Sequence, residues 1–294
     1  MSWEVLLNPA AGSRSVPPLR VQRALEAAGV QYRLRTPLGI EEMRAAVEAV
    51  VEAGEPRLAV VGGDGTVNLV ANVLMNFPAL ARPVLGVLPG GTGCDLLRTF
   101  ALPQKLEEAA VHLGRGDATY PVDVGVLEGA FGRRFFVNVA QAGVGAAAVE
   151  TASGMSRRWG RARYPLAFLV RLPGFRQGTV RIELPDRVHE SPALAVIFAN
   201  GQFFAGGWNV APRATVMDGR LDLQIINTSK WDAPRLVPKI IRGLHLSDRA
   251  LRRLAPTGFT ITTEHPWPVE ADGELVGNTP VTVRVEAGAL SLKI

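Results

Sequence analysis

The sequence holds a single cysteine, Cys94, and four histidines among 294 residues. A lone cysteine excludes a disulfide within the chain and favours a reducing compartment. The histidines are scattered, so no zinc-ligand spacing exists and no Ser/His/Asp arrangement can be argued. No uninterrupted apolar run approaches the ~18 residues of a membrane span, and the stretch ahead of Asn8 is too short for a signal-peptide core. The expectation is a cytoplasmic protein, peripheral at a membrane at most. Long Lys/Arg blocks, internal repeats and low-complexity linkers are missing too. The net charge of +5 is spread along the chain. That balance suits phosphate ligands, an anionic membrane surface or nucleic acid, and chooses among none of them. Apolar residues, in contrast, make up 47% of the chain. This is enough for a substantial core and, at this length, for roughly two domains.

The first half alternates between two textures. Residues 3–7, 30–36, 57–61 and 84–88 read as buried strands, and 19–28, 41–52, 66–75 and 104–113 as helices, several closed by glycine. Such alternation predicts a doubly wound parallel sheet, in which ligands bind at the carboxyl ends of the strands. Asn8-Pro9-Ala10-Ala11-Gly12, Thr36, Gly62-Gly63-Asp64-Gly65-Thr66-Val67-Asn68 and the glycine-rich exit from Pro89 to Asp95 all fall there. A strand that empties into glycines at a helix start is how a chain builds a phosphate cradle. Glycine admits backbone angles closed to other residues and lets N–H groups approach an anion, while the helix N-terminus adds donors and a positive dipole end. Asp64 then makes sense if a divalent cation bridges carboxylate and phosphate. Without a ligand, the same residues read as a tight turn in which Asp64 caps the helix.

Beyond a boundary placed near Gly116 the texture changes. Residues 120–127, 134–140, 178–184, 193–199, 221–226, 259–263 and 281–285 are strand-like and helical candidates are sparse, the signature of a β-rich, sandwich-like second domain. The expected domains are 1–116 and 117–294, the last few residues left free to return to the first. Within the second lies Arg157-Arg158-Trp159-Gly160-Arg161-Ala162-Arg163-Tyr164, ahead of an apolar helical stretch. It reads either as a lipid-headgroup contact, rings at the interface and guanidinium groups on phosphates, or as a solvated loop.

Four motifs taken together, Asn8 to Gly12, Gly62 to Asn68, Leu88 to Asp95 and Asp272-Gly273-Glu274, resemble the diacylglycerol kinase catalytic family, which includes sphingosine and ceramide kinases. Asn200-Gly201, Gly206-Gly207 and Asp218-Gly219-Arg220 extend the likeness over nearly the whole chain. Leu69, where the family commonly has glutamate, and Cys94, where it commonly has asparagine, depart from it; they bear on helix packing or lipid choice. The resemblance implies an ATP- and Mg²⁺-dependent lipid kinase acting on a lipid hydroxyl, diacylglycerol foremost. Its acceptor would reach a site between the domains from a membrane surface, with no nucleic-acid partner and with room for a homodimer. Asn8, Pro9, Ala10, Ala11, Gly12, Thr36, Gly62 to Asn68 and Thr92 would form the nucleotide site, and Asp64 would lie near the metal. Glu274 or Asp272 would accept the hydroxyl proton, on a turn between residues 269–271 and 281–285 read as paired strands. A second, structural Mg²⁺ would sit on Asp218 with Thr215 and Arg220, extended by Asp123 and Asp222; on spacing alone this segment is equally an Asp-Gly turn. A kinase of another lipid or of a soluble acceptor, as in the related NAD kinases, and a nucleotide-binding protein with impaired catalysis are the alternatives.

Overall fold

Residues 3–7 pack five buried side chains in a row, and β1 (Trp3–Leu7) forms there, its one charged member, Glu4, held between Arg33 and Arg35 of the neighbouring strand. The computed structural model describes residues 2–11, 16–90 and 94–294, and of Arg157 and Arg161 the backbone alone. Cys94 and Asp95 are therefore described, while Gly12 and Thr92 lie outside the described residues. The chain divides into two units, Met1–Asp123 with Ala287–Ile294, and Val124–Glu286. The boundary expected near Gly116 falls ahead of that division because a strand, Thr119–Gly129, carries the chain across it without a loop.

In the first unit β1 is followed by α1 (Pro18–Ala27), β2 (Tyr32–Arg35), α2 (Ile40–Glu52), β3 (Arg57–Gly62), α3 (Asp64–Leu74), β4 (Val84–Pro89), α4 (Asp95–Thr99) and α5 (Leu106–Gly114). The sheet order is β2-β1-β3-β4, all parallel. The chain moves outward from β1 to β2, then crosses back to β3. The switch point therefore lies between β1 and β3, where such sheets open a ligand crevice. Leu7, Val61 and Leu88, at the last turns of these strands, are fully buried beside α1 and α5 residues such as Leu25 and Leu113.

The second unit follows β5 (Thr119–Gly129) with β6 (Gly132–Phe136), β7 (Val139–Gly143), α6 (Val144–Ser153), α7 (Arg163–Arg171), β8 (Gly178–Glu183), β9 (Val188–Ala193), β10 (Ala195–Ala199) and β11 (Asp222–Ile226). Next come α8 (Ala233–Ile241), β12 (Leu251–Leu254), β13 (Gly258–Thr263), β14 (Pro268–Ala271), β15 (Glu274–Asn278) and β16 (Val281–Lys293). An antiparallel sheet, β12-β11-β10-β7-β14-β15, faces strands β9, β8, β13 and the start of β16 across a core that includes Phe136, Phe198, Ile261 and Val283. Alternation on β10 shows both faces of that sheet buried. Val196 and Phe198 enter this core, whereas Ala195, Ile197 and Ala199 enter a second cluster with Val144 and Leu236 of the helices. Three helices thus cover a face that sequence patterning left nearly bare of them.

Two strand readings need correction. Residues 134–140 are not one strand: β6 ends at Phe136 and β7 begins at Val139. The partner of β14 is β15, with Ala271 opposite Glu274, while residues 281–284 pair with β13 in the other sheet. β15 escapes a pattern search because Glu-Leu-Val-Gly-Asn carries little alternation.

Candidate active site

Three strand-end loops meet in the first unit. Asn8, just past β1, uses Oδ1 to accept the Ala10 N–H at 3.0 Å and Nδ2 to donate to Thr66 Oγ1 at 2.8 Å. The Gly90 N–H, past β4, donates to Gly62 O at 2.8 Å. The Asp95 N–H donates to Asp64 Oδ1 at 2.5 Å, so Asp64 is fixed by the start of α4 as well as by its own helix. The glycines serve space rather than backbone angle. Gly62, Gly63 and Gly65 are absent from the positive-φ residues, which corrects the conformational argument made from sequence. A Cβ on Gly62 would lie 2.5 Å from Thr66, and one on Gly90 would lie 2.8 Å from Gly62 N. At Gly65 a Cβ would meet nothing within 4 Å among the described residues. The head of α3 is therefore open at Gly65, beside helix-start donors and a carboxylate, which is the space an anionic ligand needs. Thr66 and Val67 direct their N–H groups to Gly63 O, and the side chains of Val67 and Asn68 are buried. Asn68 accepts from the Asn72 amide at 3.1 Å, a contact inside the helix. Thr36 is half-buried, one residue past β2. The Cys94 thiol is fully buried, and burial first, then Asp64, pushes its pKa well up, so it stays a neutral packing group.

The acidic motif in the second unit is a two-residue hairpin turn. Asp272 (φ 48°) and Gly273 (φ 88°) both sit in the left-handed region, the requirement of the tight turns that suit twisted strands. Its two acids differ. Asp272 accepts N–H groups from Val137 at 2.8 Å, Asn138 at 2.9 Å and Val139 at 3.0 Å, and so pins the break between β6 and β7. Asn200, fully buried, holds the same break by donating to Val137 O at 2.9 Å. Glu274 is exposed, with Arg134 of β6 at 3.5 Å. A third acid, Glu270, was missed from sequence. It is fully buried on β14, its Oε2 accepts the Gly273 N–H at 2.7 Å, its Oε1 has no partner, and burial pushes its carboxyl up to about 8.

Comparison with known proteins decides what this geometry belongs to. Residues 2–127 match the diacylglycerol kinase catalytic domain, and residues 138–294 match the YegS C-terminal NAD kinase beta sandwich-like domain. The chain belongs to the YegS-like lipid kinase family. It is 31% identical over 257 residues to a protein named probable lipid kinase YegS-like in Chromohalobacter salexigens, covering 86% of this chain and 80% of that protein. A protein of the same name in Serratia proteamaculans is 28% identical, with 84% and 79% covered. The crystal structure of a diacylglycerol kinase from Bacillus anthracis matches with a TM-score of 0.75 at 20% identity, covering 99% of this chain and 96% of that one, a likeness of fold.

Further features of this family member lie in the second unit. A cavity of about 100 Å³ opens between the helices and the β7-β10-β11 face, walled by side chains such as Val144, Phe168, Leu194, Trp208 and Ile240. Tyr164, in the stretch read either as a headgroup contact or as a solvated loop, turns inward with its ring edge-to-face on Phe204 and Trp208, 6.0 and 6.2 Å between centroids. Arg163 stacks over it at 4.9 Å. Residues 157–162 form short 3-10 turns leading into α7 rather than a loop, and Trp159, Leu169 and Val170 are exposed. At the Asp218 turn, Oδ1 accepts the Arg220 N–H at 3.0 Å and Arg220 reaches Ala255 O at 2.9 Å, while Asp218 and Thr215 stay exposed. Among the described residues no group of three or more His, Cys, Asp or Glu could hold a metal. Asp123 accepts the Gly288 N–H at 2.8 Å, and Asp222 pairs with Arg253 at 2.6 Å.

Proposed function

We propose that the protein transfers the γ-phosphate of ATP to the hydroxyl of a lipid at a membrane surface, with diacylglycerol the leading acceptor. The observation that carries the lipid reading is the apolar cavity of the second unit, whose walls suit an acyl chain far better than a sugar or a nucleotide. The nucleotide belongs at the head of α3, where Gly65 leaves room for phosphate and the helix start offers N–H donors. Mg²⁺ bound with the nucleotide would be held by Asp64 and would supply the charge neutralisation that phosphoryl transfer requires. Phosphoryl transfer asks little more of a protein than positioning and a base for the hydroxyl proton. Glu274 takes that role, because it is exposed and less engaged, while Asp272 fixes the turn that presents it. A structural cation would use Asp218 with main-chain oxygens of Thr215 and Arg220. Mg²⁺ without nucleotide should then raise the Tm of the native protein more than that of Asp218→Asn, and equal shifts would place any such ion elsewhere.

Exposed Trp159, Leu169 and Val170 on and ahead of α7, with Arg158 beside them, form the face that meets the membrane. The direct test is labelled ATP, Mg²⁺ and a panel of micellar lipids with purified protein. Label in the organic-extractable product is expected. Transfer to a water-soluble acceptor, with none to any lipid, would overturn the reading.

A further inference from the structure

The lining of the cavity is mostly apolar, and Gln141 of β7 is among its few polar members. Gln141 is more than nine-tenths buried, in a place where a carboxamide without partners is costly. The surroundings are cut to fit that amide. Gly145 of α6 faces it, and a Cβ there would lie 2.0 Å from Gln141 Oε1 and 3.1 Å from Nε2. On the other side Glu270 stands directly across the strand pair from Gln141. Glu270 also accepts the N–H of Gly273, inside the Asp272-Gly273-Glu274 turn. One buried carboxyl thus stands between Gln141 at the cavity wall and the turn that carries Glu274.

An amide nitrogen has two hydrogens. One reaching Glu270 across the strand pair would leave the second for whatever enters the cavity. Resting on the lipid-kinase reading above, we infer that Gln141 is a specificity-determining residue, donating its second N–H to the ester carbonyl beside the reacting hydroxyl of an acylglycerol. Glu270 is the positioning residue that holds this donor at a set distance from the acidic turn. Such a site favours acyl lipids over their alkyl-ether counterparts, which offer the same chains and hydroxyl but no carbonyl. A site built to hydrogen-bond a substrate group discriminates against the analogue lacking it, because its own polar atom is left unpaired.

The test is kcat/KM on micellar diacylglycerol and on the matching dialkylglycerol, for the native protein, Gln141→Leu and Gly145→Ala. The native protein should prefer the ester by about tenfold or more, the worth of roughly one hydrogen bond. Gln141→Leu should lose that preference by slowing only on the ester, and Gly145→Ala, which displaces the amide without removing it, should erode it in the same direction. An unchanged ester-to-ether ratio in Gln141→Leu, or an equal loss on both lipids, overturns the inference and leaves the lipid-kinase reading standing. Activity of the native protein on neither lipid removes both together.

Discussion

The glycine cradle at β3–α3 and the acidic turn at β14–β15 each present a carboxylate, and they are built in opposite ways. Asp64 lies at the head of a helix that directly follows its strand, in a site assembled from successive strand ends of one parallel sheet. Asp272 is held by backbone groups 133 to 135 residues away in sequence, and Glu270 meets Gln141 only because β14 pairs with β7. Local construction leaves room: among the described residues nothing lies within 4 Å of a Cβ placed on Gly65. Remote construction fills it: Glu270 is fully buried and Asp272 is fully engaged. The cradle is thus suited to receiving a mobile ligand, and the turn to holding one group at a set place.

The sharpest way to break the comparison is to fill the open space. Gly65→Val should abolish nucleotide binding while the fold survives, read by calorimetric titration with ATP and by unchanged far-ultraviolet circular dichroism. Retained affinity in a folded variant would place the nucleotide elsewhere. The turn should answer to pH instead. The Glu270 carboxyl is raised from 4.5 to about 8 in the folded protein, so stability is fully present below pH 4.5. It falls as pH climbs toward 8, because the unfolded chain releases that proton first. The loss is on the order of a few kcal/mol between those limits. Glu270→Gln, neutral throughout, should flatten this part of the profile in urea titrations from pH 5 to 9; a profile parallel to the native one would mean that Glu270 is ionised when folded. Smaller again is the effect of Asp272→Asn, which sets an amide against N–H donors now facing carboxylate oxygen. It should cost about 1–3 kcal/mol of stability, seen as a lower Tm with a proportionate loss of turnover. A native Tm would remove the anchoring role.

How much could be read in advance follows the same division. Every long element of the first unit is legible, since strands read as apolar runs, helices carry their own period and several end at glycine; α4, five residues long, is too short to show a period. In the second unit α6 (Val144–Ser153) is small-residue and buried on most sides, so no polar face marks its period. α8 carries Pro238 inside it, which argues against a helix from sequence. The break at Val137–Asn138 was hidden because its cause, Asp272, lies in another part of the chain. The acidic motif was found by resemblance, whereas Glu270 and Gln141 had no local signal at all. Their meaning comes from strand pairing and from a cavity that only the folded chain encloses.

The central claim is a division of labour: the cradle binds the nucleotide, and Glu274, presented by the turn, takes the proton. Glu274→Gln measures both halves in one protein. Nucleotide affinity and Tm should stay at native values while kcat on the lipid substrate falls by about 10² to 10⁴, the usual worth of a general base. Native turnover in that variant, on a lipid that the native protein phosphorylates, would contradict the account.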